Sequence, residues 1–303
     1  MAPTPVAERV DRLNAVSLKR VVEPDLELTG SVGDGQVIAD ELLSVHGLGL
    51  ELTAEQRRTL SREEVASMLD NGIRFEAVLE AGFATMIARS PDITDPRITY
   101  LCHEMGEETR HQRLFQRVVR QLAPTARNPL ADQWILRRLD RWGTGWLVNH
   151  PCALFVMVIA GEEGPDLLQK LASEHPDTDP FLAAVNRYHR QEEARHLSFA
   201  RAMLPELWAE ASAAERWAIR TVLPLGIQQM FELLIHPGVY ETVGLDGWET
   251  WKRVRATPER VALRHQASRP VLAALLDGGL LSQGRVPRQW QELCGVGPAG
   301  EPR

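Results

Sequence analysis

The pattern that decides the fold lies at residues 188–196, which read YHRQEEARH. On an α-helix, with about 3.6 residues per turn, His189, Glu193 and His196 fall on one face, because they are four and three residues apart. Residues 107–111 read EETRH and repeat the Glu-Glu-x-Arg-His pattern of residues 192–196 with the same internal spacing. The chain therefore contains Glu-x-x-His twice, at Glu108–His111 and Glu193–His196.

Two copies of Glu-x-x-His on separate helices are typical of a metal site in a helical bundle. A single copy is common on solvated helix faces, where Glu pairs with basic neighbours three or four residues away. A Glu-x-x-His from each of two helices, with one further Glu from each of two others, is the ligand set of dinuclear centres in ferritin-like four-helix bundles. Each motif runs on into an apolar stripe, formed by Leu114 and Val118 in one case and by Phe199 and Met203 in the other, which predicts burial.

Composition indicates a globular protein that binds neither nucleic acid nor membrane. The chain has 303 residues, of which 44% are hydrophobic, and its net charge is −7 without a long basic block. No run of 18 apolar residues occurs, and residues 1–5, MAPTP, lack the order of a signal peptide, so we expect a cytoplasmic protein. The three scattered cysteines argue against a disulfide framework, a Cys-x-x-Cys zinc site and an iron–sulfur cluster.

Helix signals place the motifs on the second and fourth helices of a bundle. A capping box at residues 61–64, SREE, predicts a first helix to about residue 90; a similar pattern, TAEQ, stands at residues 53–56. Asp-Pro pairs at 95–96 and 179–180 predict the starts of the second and fourth helices, and Pro151 that of the third, which Gly164-Pro165 can kink.

The remaining segments predict additional helices around that bundle. A connecting helix is expected at about 128–142, ending at the break Gly143-Thr144-Gly145, with others at 212–236 and about 258–281; the signals after 284 are weak. A first helix over about 7–19 belongs to an N-terminal arm that we expect to be peripheral. No strand pattern emerges. We therefore predict one all-α, ferritin-like domain over 1–303, with an arm at about 1–52, a metal-binding bundle at about 60–205 and extra helices at about 212–285.

Antiparallel geometry indicates which carboxylates on the first and third helices complete the site. Residues equally distant from the connecting turn lie side by side, because each helix rises equally per residue. Counting back from Glu108 across its turn points to Glu76, with Glu80 as the alternative, and counting back from Glu193 points to Glu162, with Glu163 as the alternative.

The donor types favour iron. Carboxylate oxygens and imidazoles suit Fe or Mn, whereas the thiolates that would argue for zinc or copper are missing from these motifs. Dioxygen activation is the natural chemistry of two such ions. His189 is an additional donor one turn before Glu193, although a structural histidine bonded to a backbone carbonyl is the alternative.

Glu108-x-x-His111 together with His189-x-x-x-Glu193-x-x-His196 resembles the diiron N-oxygenases typified by p-aminobenzoate N-oxygenase, over about residues 60–240. The resemblance implies a ferritin-like fold and oxidation of an aryl amine to a hydroxylamine or nitro group. It also implies two iron ions, dioxygen as co-substrate and no catalytic residue beyond the ligands. The implied ligands are Glu76, Glu108, His111, Glu162, His189, Glu193 and His196.

Other side chains are candidates for supporting this site. Those able to orient the imidazoles are Arg110, Arg195, Glu104, Glu107 and Glu192. Those that could line a substrate pocket, or simply fill the core, are Phe83, Met86, Phe155, Ile227, Met230 and Phe231.

The leading hypothesis is an oxygenase with a small-molecule substrate. No Gly-x-Gly-x-x-Gly fold signature, which needs a predicted strand before the glycines and a helix after them, and no cysteine cluster occurs, so electrons must come from a separate donor or reductase, or from hydrogen peroxide. The helices after residue 205 suggest a covered substrate cavity or a homodimer interface. The alternative is a ferritin-like diiron or Mn/Fe oxidase, or an iron-storage protein, without N-oxygenase activity; a bundle that has lost its metal is a further rival.

Overall fold

The computed structural model describes residues 6–303, and regular secondary structure there is helical apart from one isolated bridge between Val296 and Pro302. Residues 1–5, where no signal peptide is predicted, lie outside the described residues. The four bundle helices are α3, α4, α6 and α7. In chain order the helices are α1 Val6–Lys19, α2 Pro24–Glu27, α3 Ala54–Arg89, α4 Pro96–Leu122, α5 Trp134–Leu147, α6 Pro151–Glu174, α7 Pro180–Glu210, α8 Ala213–Thr221, α9 Leu223–Leu233, α10 Gly238–Glu241, α11 Gly247–Ala256, α12 Pro258–Asp277 and α13 Arg288–Cys294.

Capping side chains fix where three of the bundle helices, α3, α4 and α7, begin. The carboxylates of Asp95 and Asp179 accept hydrogen bonds from backbone N–H groups in the first turns of α4 and α7, each with proline at the first helical position. Both predicted starts are confirmed. The start predicted for α3 is wrong, because Thr53 and Gln56 form the capping box and α3 begins at Ala54. Ser61 is a buried residue two turns inside.

Several predicted helix bounds, outside the bundle and at the end of α7, are also corrected. Gly143 and Gly145 lie within α5, so they do not end the connecting helix. The helix expected at 212–236 is divided at Val222 into α8 and α9. Pro165 and Pro205 are accommodated inside α6 and α7, and α7 continues to Glu210.

Both ends of the described chain contribute to the core. The arm is not peripheral, because Val10 in α1 and Val37 are fully buried. The C-terminal segment, whose sequence signals are weak, forms α13. Its Trp290 is also fully buried and donates its indole N–H to the carbonyl of Ile219. Apolar burial of these side chains outweighs weak local helix signals.

The bundle consists of two helix pairs, α3 with α4 and α6 with α7, and α12 packs on α6 from the C-terminal side. One close approach between the pairs bears directly on the site. A Cβ on Gly161 would overlap the ring of Phe75, so the glycine lets α6 approach α3 at the residues just before Glu162 and Glu76. This arrangement is the predicted ferritin-like fold.

Among residues 6–303, no single helix combines the length and the apolar composition needed to cross a membrane. Two consecutive helix pairs, bent by 114° and 45°, meet those criteria only when each pair is taken together.

Candidate metal centre

The seven side chains predicted as ligands meet in the core of the bundle. Each is at most 3% exposed. Their donor atoms, with those of Glu104, form overlapping groups of three in which all atoms lie within 4.8 Å of one another: Glu76, His111 and His189; Glu104, Glu108 and His196; Glu108, His111 and Glu193; Glu162, His189 and Glu193.

Glu193 lies at the middle of this cluster. Its Oε1 is 3.2 Å from His111 Nδ1 and 3.3 Å from His189 Nε2, and its Oε2 is 2.9 Å from His196 Nδ1. Glu108 has a similar position, with one oxygen 3.2 Å from His111 Nδ1 and the other 3.3 Å from His196 Nδ1. Both carboxylates therefore face the two motif histidines at once, which suits ligands shared between two cations.

The structure distinguishes between the alternative carboxylates on α3 and α6. Glu76 Oε1 is 3.4 Å from His189 Nε2, whereas Glu80 is half-buried and belongs to none of the groups of clustered donor atoms. Glu162 joins His189 and Glu193, whereas Glu163 turns away to pair with Arg201. Glu76 and Glu162, the first choices from the turn geometry, are therefore the carboxylates that the fold brings to the cluster.

In each copy of Glu-Glu-x-Arg-His, the first Glu contacts the histidine of the other copy. Glu192 Oε2 lies 3.1 Å from His111 Nε2, and Glu107 Oε2 lies 2.8 Å from His196 Nε2. Arg195 joins the pair, 2.9 Å from Glu107 and 3.2 Å from Glu192, while Tyr188 donates its hydroxyl to Glu192. This crossed arrangement gives the repeated Glu-Glu-x-Arg-His sequence a structural reason.

These hydrogen bonds determine which imidazole nitrogens face the centre. With Nε2–H donated to a carboxylate, His111 and His196 each present the Nδ1 lone pair. His189 is reversed, because its Nδ1 lies 2.9 Å from Gln169 Oε1, an acceptor, which leaves Nε2 as the lone-pair nitrogen. Gln169 was not singled out from the sequence, since no local pattern marks a side chain that contacts a helix twenty residues later.

Burial and charge strongly perturb the titration of this cluster. Burial and the neighbouring carboxylates raise the pKa values of Glu76 and Glu162, and burial lowers the pKa of His189 to about 4, so His189 is neutral. Although burial opposes it, hydrogen bonds from His111 and Tyr188 lower the pKa of Glu192 to about 2.

The unpaired donor atoms fit a pair of hard divalent cations. Glu76 Oε2, Glu108 Oε1, His189 Nε2 and Glu193 Oε1 are buried without a hydrogen-bond partner. Buried polar atoms rarely lack a partner unless a function requires it. A carboxylate-rich set of donors mixed with imidazole nitrogens suits iron or manganese.

A cavity of about 740 Å³ reaches the cluster and is lined there by Glu76, Glu162 and His189. Of the pocket candidates, Ile227, Met230 and Phe231 line it. Phe83 and Phe155 are instead fully buried in the core, and Met86 packs against that core.

A ferritin-like bundle with duplicated Glu-x-x-His helices around buried carboxylates and imidazoles defines the class of dinuclear-metal carboxylate proteins. The chain belongs to the family of p-aminobenzoate N-oxygenase AurF, whose model matches residues 34–279. This family consists of diiron enzymes.

Similar curated proteins include uncharacterized proteins of Mycobacterium bovis and Mycobacterium tuberculosis. Each is 29% identical over 177 residues, which is 57% of this chain and 50% of the relative. The chain thus spans about half the length of the curated relatives that it matches.

Proposed function

We propose that this protein is a non-haem diiron oxygenase that oxidises the nitrogen of an aryl amine or a related small molecule. The observation that carries the proposal is the position of His189. Its Nε2 lies among the carboxylates of Glu76 and Glu193, and the same side chain lines the cavity. A third neutral nitrogen donor at the cavity side is the feature that separates this site from a site with only the two motif histidines.

The residues that would hold two iron ions are the buried carboxylates and imidazoles of the cluster: Glu76, Glu108, His111, Glu162, His189, Glu193 and His196. When bound, the irons supply the capacity to activate dioxygen. The described residues meet the requirements for holding them, since each helix of the bundle contributes at least one oxygen donor and the oxygens include unpaired ones.

The chain's own groups orient this ligand set. Glu107 and Glu192 hold the Nε2–H groups of His196 and His111, and Gln169 accepts the Nδ1–H of His189. Such outer hydrogen bonds fix the tautomer and the ring orientation of a ligand histidine. Arg195 and, at 4.0 and 3.9 Å, Arg110 compensate the charges of Glu107 and Glu192, so both remain ionised beside the centre.

The cavity supports a small-molecule substrate over iron storage. Its walls include apolar side chains such as those of Met157, Ile227 and Phe231, and a storage site has no need of such a space. A substrate there would present its amine to the side of the cluster that carries Glu76, Glu162 and His189. Electrons would come from a separate donor, as in related diiron oxygenases.

The test combines metal analysis with product analysis. The purified chain is loaded with Fe(II), supplied with dioxygen and a chemical reductant or with hydrogen peroxide, and offered a panel of aryl amines. We expect two irons per chain and hydroxylamine, nitroso or nitro products by mass spectrometry. Two irons without any oxidised amine would support an oxidase or storage protein instead, and tightly held zinc or manganese would overturn the iron assignment.

His189→Ala makes the test specific to the proposed chemistry. We expect iron to be retained at reduced affinity and amine oxidation to be lost, because the neutral nitrogen donor is removed at the cavity side. His103→Ala is the matched control, since His103 also lies on a bundle helix but outside the cluster. Unchanged oxidation in His189→Ala, with lower stability alone, would make His189 a structural residue.

A further inference from the structure

Glu104 is a buried carboxyl group that the ligand set does not use. It lies on α4 one turn before Glu108 and is 1% exposed. Neither Oε1 nor Oε2 has a hydrogen-bond partner, and no other carboxyl group in residues 6–303 has both oxygens buried and unpaired. The expectation that Glu104 orients an imidazole is therefore wrong.

No hydrogen-bond donor on the protein side reaches this carboxyl group. Tyr100, one turn earlier, has a buried hydroxyl that is also unpaired, and Arg195 is committed to Glu107 and Glu192. An ionised carboxylate without a donor is costly in a protein interior, and such groups are usually paired or bind a metal. This situation is the same as that of the unpaired ligand oxygens of Glu76 and Glu193.

The position of Glu104 places it at the metal centre. Its donor atom lies within 4.8 Å of those of Glu108 and His196, both of which belong to the proposed ligand set. Unlike Glu76, Glu162 and His189, Glu104 does not line the cavity. It therefore approaches the cluster from a side that a substrate does not occupy.

The internal repeat gives an independent reason. Residues 104–111 read EMGEETRH and residues 189–196 read HRQEEARH, so Glu104 corresponds to His189. Both stand four residues before the central Glu of their motif and share its helix face. One half of the repeat thus offers a third histidine to the cluster, and the other half offers an additional carboxylate.

We propose that Glu104 is an eighth metal ligand, which binds the ion next to His196 and stabilises the ferric state. The inference rests on the proposed diiron function. The four carboxylates of the seven-residue set balance the charge of two ferrous ions, so a further carboxylate leaves excess negative charge. Excess negative charge beside a cation favours its more highly charged state.

The experiment compares the wild type with Glu104→Gln, which keeps the shape and removes the charge. Glu63→Gln is the matched control, because Glu63 is equally buried on α3 but is fully engaged by the backbone N–H groups of Thr125 and Ala126. Each protein is loaded anaerobically with Fe(II), and iron release to a chelator is followed in the ferrous and the ferric state. The reduction potential is measured on the same samples.

We expect Glu104→Gln to weaken ferric binding by about tenfold relative to ferrous binding, as loss of a ligand-shell group commonly costs 10- to 100-fold in affinity. A tenfold change corresponds to a rise of about 59 mV for a one-electron couple. The metal-free variant should melt at a higher temperature than the metal-free wild type, because a neutral carboxamide costs less to bury than an unpaired carboxylate charge. Glu63→Gln should leave the potential and the ferric preference unchanged.

The outcome that overturns the inference is a ferric preference and a potential equal to those of the wild type while the wild type binds two irons. That result would leave the diiron function standing and make Glu104 a protonated acid. Failure of the wild type to bind iron would overturn both. Glu104→Leu is the second variant should Glu104→Gln not fold, and the same loss of ferric preference is expected from it.

Discussion

Two buried carboxylate regions of this molecule differ in how their oxygens are satisfied. Glu232, on α9, is enclosed by the C-terminal helices, where Arg255 and Arg264 lie 2.8 and 3.0 Å away and Gln228 donates a further hydrogen bond. In the bundle core, Glu76, Glu108, Glu193 and Glu104 retain oxygens with no donor. Both regions are buried, but only at Glu232 does each carboxylate oxygen have a donor.

The difference shows that burial alone does not mark a functional carboxylate. Folding tolerates a buried carboxylate when donors surround it, as around Glu232, and such a group contributes to the architecture. A group of carboxylates without donors lowers the stability of the metal-free protein and persists because it serves another purpose. The carboxylates with unpaired oxygens lie beside the histidines of the duplicated motif, whereas Glu232 does not.

The largest effect is expected from removing the central ligand. Glu193→Ala should lower iron affinity by more than about 100-fold, because Glu193 faces all three histidines of the proposed ligand set. Iron per chain, measured after gel filtration, should fall from two to near zero, and the rise in melting temperature on adding Fe(II) should disappear. Two irons retained by this variant would contradict the proposed centre.

Glu232→Ala should lower the stability of the protein without changing its iron content. Two guanidinium groups would lose their buried partner, so the free energy of unfolding should fall by about 3 kcal/mol, at the lower end of the range because Arg255 is 34% exposed. Urea unfolding gives this value. Iron content of the folded variant should match the wild type, and lost iron with intact stability would break the distinction between the two regions.

A third carboxylate tests whether hydrogen bonds without a guanidinium partner give an intermediate result, because both oxygens of Glu64 have a donor, the N–H and the hydroxyl of Ser44. Glu64 is fully buried and accepts a hydrogen bond of 2.9 Å from the N–H of Ser44, yet burial raises its pKa to about 7. Because the folded-state pKa lies above that of the unfolded chain, the contribution of Glu64 to stability is present at low pH and is lost as pH rises from about 4.5 to about 7.

Glu64→Gln should remove this dependence. Its stability relative to the wild type should improve by on the order of 2 kcal/mol between pH 5 and pH 8, as measured by urea unfolding at both values. Glu63→Gln, one residue earlier and well supplied with donors, is the control. A wild-type curve parallel to that of Glu64→Gln would show that Glu64 titrates normally.

The smallest effect is expected at the two rejected alternatives. Glu80→Gln and Glu163→Gln should each change the free energy of unfolding by less than about 0.5 kcal/mol, because Glu80 is half-buried and Glu163 pairs with a partly exposed Arg201. Iron content should stay at the wild-type value in both, while Glu76→Gln and Glu162→Gln should lower it. Equal iron loss in Glu80→Gln would reassign the ligand on α3.

Much of the scaffold follows from local sequence. The starts of α4 and α7 were predictable because an Asp-Pro pair supplies both the cap and a preset backbone angle. The start of α3 was not predictable, because two capping-box patterns stand eight residues apart and only packing decides between them. Thr53 caps the helix, whereas the hydroxyl of Ser61 accepts a hydrogen bond from the N–H of Val37 in the arm.

The sequence by itself determined the repeated Glu-Glu-x-Arg-His motif and the helix faces that carry it. It also determined approximately where along α3 and α6 the partner carboxylates lie. These are consequences of the helical period and rise, which depend only on spacing along the chain. Only the tertiary structure decided that Glu107 and Glu192 support each other's histidines, that Gln169 fixes the ring of His189, and that Glu104 is left without a donor. Those relations join atoms on different helices, whose separation is set by how side chains such as Phe75 and Gly161 pack, and no local pattern encodes that distance.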